Sequence, residues 1–174
     1  LSGHSAGGQF ALYTLTSEPA LFHAYFAMSP SLDWDDHLPR RSLEASFAQT
    51  DSLKAFLYFA WSDDLGDALA EDQRVMKTLE TAAPKGFRWV GKGFPDETHG
   101  SIPLLAHIDA LRRLYAGYRF HNDLLEKGFA FAEKHFQDVS KEVGYTIPVP
   151  EDVVNTFGYE ALSAGNIQEA MVLF

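Results

Sequence analysis

Five residues near the start of the chain, Gly3-His4-Ser5-Ala6-Gly7, have the spacing G-x-S-x-G. That spacing marks a strand that turns sharply into a helix and leaves a serine hydroxyl strained and exposed at the turn. Glycines flank the serine because a side chain there would collide with the adjoining strand and helix. The turn therefore demands a strand before Ser5 and a helix after it, and the residues that follow repeat the same unit. Residues 7–16 set Phe10, Leu12, Tyr13 and Leu15 in a helix-compatible arrangement, closed by the breaker Pro19. Residues 24–28 (AYFAM) and 55–61 (AFLYFAW) are short, apolar and aromatic, as strands buried on both faces should be. Leu69, Met76, Leu79 and Ala83 then recur at helical spacing until Pro84 and Gly86 stop them. Residues 87–90 (FRWV) suggest a third such strand. After it Ser101 is the expected N-cap, with Pro103 in the first turn, of a helix whose Leu104, Ile108, Leu111, Tyr115 and Tyr118 share one stripe. Residues 33–52 contain Pro39 and little clear period, so they are expected to form a lid-like excursion that includes one short helix. Strands alternating with helices imply an α/β fold, with parallel strands joined by crossover helices.

Beyond Tyr118 the strand signals stop. Leu125, Phe129, Ala132, Phe136 and Val139 describe an amphipathic helix. Pro148 and Pro150 mark a linker, and Val153, Val154, Phe157 and Ala161 begin a further helix. The expected organisation is an α/β part over residues 1–120 and an all-helical tail over 121–174. Because Leu1 stands where a strand should be finishing, the chain is expected to be a fragment, the C-terminal part of a longer protein.

Composition narrows the function classes. The chain has 174 residues, 46% hydrophobic and 22% charged, which suffices to build a core and excludes global disorder. Fourteen basic against 24 acidic residues give a net charge of −10, a sign that argues against a nucleic-acid partner. No apolar run approaches about 18 residues, so no membrane span is expected. The absence of cysteine removes disulfides, thiolate zinc sites and thiol nucleophiles, without naming a compartment. No metal-binding or nucleotide-binding motif is present, so no cofactor and no metal are implied.

The chemistry centres on Ser5 as nucleophile. The N–H of Ala6, at the positive end of the following helix, is placed to donate to a developing oxyanion. A serine hydroxyl attacks poorly until a base takes its proton, so a histidine should follow at a strand end. Of seven histidines, His99 fits, in a loop after the third strand candidate and directly before a helix. His4 adjoins the nucleophile and reads as a packing residue. His107, His121 and His135 lie in helical patterns, and His23 and His37 fall too early. The serine, acid, histidine chain order puts the carboxylate after the penultimate strand, at Asp63, with Asp64 and Glu97 as alternatives and a dyad without acid also open.

Three separated motifs, LSGHSAGGQFALYTL, LFHAYFAMSPSLDW and FPDETHGSIPLLAHIDALRRLY, together resemble the esterase family of α/β-hydrolases that contains the enterochelin-esterase-like serine hydrolases and is similar to esterase D. The resemblance runs from Leu1 to about Tyr118. It implies a serine esterase with Ser5 as nucleophile and His99 as base, acting on small-molecule esters that in some members are trilactone siderophores. In that family the strand before the serine is the fifth of eight, and the second oxyanion N–H comes from a loop upstream of it. Residues 157–174 are similar to one tetratricopeptide repeat in their Gly-Tyr, Gly-Asn, Ala and final Phe, although a single repeat cannot bury its own face. A protein partner or self-association through the tail is an expectation on that basis. The rival reading from another class is a non-catalytic scaffold, with a degenerate hydrolase sheet and a partner-docking tail.

Overall fold

A computed structural model describes residues 1–63 and 65–174. The chain divides into two units, Leu1–Leu114 and Tyr115–Phe174. The first unit alternates β1 (Ser2–His4), α1 (Ala6–Ser17), β2 (Ala24–Met28), α2 (Trp34–Ala48), β3 (Phe56–Trp61), α3 (Gly66–Ala82), β4 (Arg88–Gly93) and α4 (Ile102–Leu114). The four strands pair in parallel in the order β1-β2-β3-β4.

Strand periodicity sorts the core into two layers. Tyr25, Ala27, Leu57 and Phe59 point to one face, where Leu12 and Leu15 of α1, Leu43 and Phe47 of α2, and Val75 and Leu79 of α3 close over them. Phe26, Met28, Phe56, Tyr58 and Ala60 point to the other, against Ile102, Ala106 and Ala110 of α4. Helices thus cover both faces, which is why β2 and β3 are apolar throughout instead of alternating.

Two local expectations are revised. The excursion after β2 is mostly helix, residues 34–48, and its first turn is wound the other way: Asp35, Asp36 and His37 have φ of 47°, 52° and 60°. That turn diverts the carbonyls of Asp35 and Asp36 from the helix, and Arg41 donates to both, at 2.9 and 2.8 Å. Pro39 comes two residues after His37, near the start of the right-handed run, where its missing N–H costs little. In α4 the stripe Leu104, Ile108 and Leu111 is exposed, and the face of Ile102 and the small Ala106 and Ala110 meets the sheet. Alanine lets the helix axis approach the strands closely, so shape overrides side-chain hydrophobicity.

The second unit has a 3-10 segment (Asn122–Lys127) and helices α5 (Phe129–Val143), α6 (Glu151–Ser163) and α7 (Ile167–Leu173). Phe136, Val139, Val143, Ile147, Val153 and Phe157 form its core. α6 and α7 meet at Gly158, where a Cβ would stand 2.7 Å from the Phe174 ring.

Candidate active site

The C-terminal ends of parallel strands are where open α/β sheets bind ligands, and here backbone bonds tie those ends together. The N–H groups of Ser5, Ser29 and Phe94 donate to the carbonyls of Met28, Ala60 and Trp61, at 3.0, 2.7 and 2.8 Å. Ser29 Oγ donates to Ser62 Oγ at 3.2 Å beneath this rim.

Ser5 lies between β1 and α1 with φ 57° and ψ −122°, a conformation that L-residues adopt only when the surroundings impose it. Gly3 is part of that imposition: a Cβ there would lie 2.0 Å from the carbonyl oxygen of Gly7. The other motif glycine, Gly7, has open space around it, whereas Gly8 packs on Pro30, with 3.0 Å between its Cβ position and the Pro30 Cα. The carbonyl of Ser5 accepts from Gln9 N–H at 3.0 Å and from Ser31 N–H at 3.2 Å. The N–H of Ala6 therefore belongs to the first helical turn, whose donors have no acceptor within the helix. Ser5 Oγ is 3.5 Å from Ser31 Oγ.

Ser5 and His99 line one cavity of about 430 Å³, a size suited to a small molecule. The two residues, 94 positions apart in sequence, thus share one cavity, and among the described residues no hydrogen bond joins them: Ser5 Oγ has Ser31 Oγ as its neighbour instead. His99 also packs on His4, ring centroids 4.5 Å apart and tilted by 45°. His4 Nε2 is buried without a hydrogen-bond partner among the described residues.

Asp63, itself exposed, follows β3, and its N–H donates to the Glu97 carbonyl at 2.9 Å, linking it to the loop of His99. The Glu97 carboxylate is engaged by Ser101 Oγ at 2.5 Å. Among the described residues no hydrogen bond joins His99 to Asp63 or to Glu97, and Asp64 lies outside the described residues.

Part of the lining of the cavity comes from the α2 and α3 region and was not apparent from sequence. Asp33, Asp67, Glu71 and Asp72 line it, together with His37. Glu71 is buried, at 3% exposure. Arg40 Nε donates to its Oε2 at 2.8 Å, Arg74 bonds Oε1, and His37 Nδ1 approaches Oε2 at 3.4 Å, without hydrogen-bond geometry. Burial pushes the Glu71 carboxyl up, but the hydrogen bonds from Arg40 and Arg74, with the charge of Arg40, outweigh it, so its pKa lies below the usual value and it stays ionised. The bonds to Glu71 and Glu44 hold the Arg40 guanidinium above its ordinary value.

No family model and no curated protein matches the chain. Solved structures do. An IroE-like serine hydrolase from Shewanella oneidensis is 21% identical with a TM-score of 0.81, over 99% of this chain and 56% of that one. The siderophore hydrolase EstA from Aspergillus nidulans is 22% identical with a TM-score of 0.53, over 64% of this chain and 45% of that one. The enterobactin and salmochelin hydrolase IroE is 26% identical with a TM-score of 0.51, over 64% and 43%. The chain spans about half the length of these neighbours. At such identities the likeness establishes the α/β fold that these hydrolases share.

Proposed function

We propose that this chain carries the nucleophile and base of a serine hydrolase that cleaves small carboxylic esters through an acyl-enzyme. The observation that carries the reading is Ser5, held at φ 57° between β1 and α1 on a cavity that His99 also lines. His99 takes the proton as Ser5 Oγ bonds to the acyl carbon, and the tetrahedral oxyanion is met by the N–H of Ala6. Collapse expels the alcohol, which leaves with the proton from His99. Water, deprotonated by the same imidazole, then releases the acid and restores Ser5. Asp63 is the proposed orienting carboxylate, with Asp64 and Glu97 as alternatives. The names of the neighbouring hydrolases support the ester class, siderophore-type esters among them.

The test is covalent labelling of the full-length protein by a fluorophosphonate. Labelling should be stoichiometric, be lost in Ser5→Ala, and slow by about 10³-fold or more in His99→Gln. Labelling that survives in Ser5→Ala overturns the reading.

A further inference from the structure

The cavity that Ser5 lines carries fixed charge of one sign. Four of the residues lining the cavity are carboxylates, and among the described residues no lysine or arginine lines it. Glu71 has its charge offset from behind by Arg40 and Arg74. Asp33 and Asp67 do not: both are exposed, and no ion pair engages either among the described residues. The two residues come from different elements, Asp33 at the entry to α2 and Asp67 in the first turn of α3, and both line the cavity that Ser5 lines. Arg41, the nearest cation on α2 apart from Arg40, is turned to the carbonyls of Asp35 and Asp36 instead. The net charge of −10 adds a field of the same sign.

The geometry points to a charge-selective site: the cavity beside Ser5 accepts esters that carry a cationic group against Asp33 and Asp67, and disfavours anionic ones. This rests on the Ser5 hydrolase reading and goes beyond it by naming the substrate class. Selectivity of this kind combines attraction of the right ligand with repulsion of the wrong one, and two uncompensated carboxylates supply both.

Three esters of equal size, differing only in a terminal ammonium, hydroxyl or carboxylate, discriminate. The tag is placed in one series on the acyl half and in a second on the alcohol half, and kcat/KM is measured at pH 8, above the ordinary range of imidazoles. In at least one series the order should be ammonium, hydroxyl, carboxylate, with the outer two separated by about tenfold or more. That ratio should shrink with added salt, since exposed charges are screened. The double variant Asp33→Asn, Asp67→Asn should bring the ratio towards one, whereas Glu80→Gln, an exposed acid of α3 that does not line the cavity, should leave it. Both surface substitutions are checked for folding by melting temperature. Turnover of all three esters at equal kcat/KM in both series, or an unchanged ratio in the double variant, overturns this inference and leaves the hydrolase reading standing. Absence of turnover together with absence of fluorophosphonate labelling removes both.

Discussion

The two glycines of the G-x-S-x-G turn should respond to alanine with opposite signs. At Gly3 the added Cβ would stand 2.0 Å from the Gly7 oxygen and 2.2 Å from its carbonyl carbon, whereas real Cβ atoms essentially never come within 3.0 Å. The turn would have to open by about 1 Å (3.0 minus 2.0), and both obstacles are backbone, so no side chain can rotate away. Overpacking of this kind costs about 3 kcal/mol or more, the upper end of the usual range. For a chain of this length that lowers the melting temperature by roughly 6 to 12 °C. Gly7 meets nothing within 4 Å and is helical, so Gly7→Ala relieves the backbone entropy cost of glycine in a helix. A gain of about 0.5 to 1 kcal/mol follows, or roughly 1 to 4 °C. Calorimetry on the two single variants reads both effects. If Gly3→Ala melts within about 2 °C of the parent, or if both variants fall together, the steric account of this turn is wrong.

Tyr58 is fully buried, and its hydroxyl donates to Asp109 Oδ2 at 2.7 Å. Because Lys92 still pairs with Asp109 at 3.2 Å, Tyr58→Phe should cost about 1 to 2 kcal/mol, below the full value of a bond to a charge, as read from the urea midpoint. Burial pushes the carboxyls of Glu71 and Asp109 up, yet their bonds, from Arg40 and Arg74 and from Tyr58 and Lys92 respectively, leave both pKa values below the usual range. The unfolded chain then takes up protons near pH 4 while the folded chain still resists. The stability these groups contribute is therefore complete at neutral pH and lost as pH falls through their depressed folded values. Melting temperature followed from pH 7 to pH 2 should drop through that window, and Glu71→Gln should start lower at neutral pH and fall less steeply. A steeper acid fall in the variant would contradict the assignment.

Much of the architecture was written in local pattern. The run AYFAM is β2 with the bounds read from sequence, and the polar break after AFLYFAW ends β3, because a strand buried on both faces leaves a continuous apolar signature. The G-x-S-x-G spacing located the turn at Ser5, since few other sequences tolerate Gly3 against Gly7. The left-handed first turn of α2 was not readable: Asp and His visit positive φ more often than most residues, but as single residues and not three in succession, and Arg41 compensates Asp35 and Asp36 only once the chain has wound. Nor was the buried face of α4, because hydropathy ranks Leu104 above Ala106 whereas the sheet selects the residue that permits closest approach.

The candidate site divides along the same line. Sequence alone marked Ser5, Ala6 and His99, because a strained turn, a helix start and a loop histidine each have local signatures. Only tertiary structure set His99 on the ring of His4 and put Asp33, Asp67 and Glu71 in the lining of the cavity that Ser5 shares. Those contacts join residues tens of positions apart, and the physical rules that choose them, close packing of helices on a sheet and compensation of buried charge, act on distance in space and not along the chain.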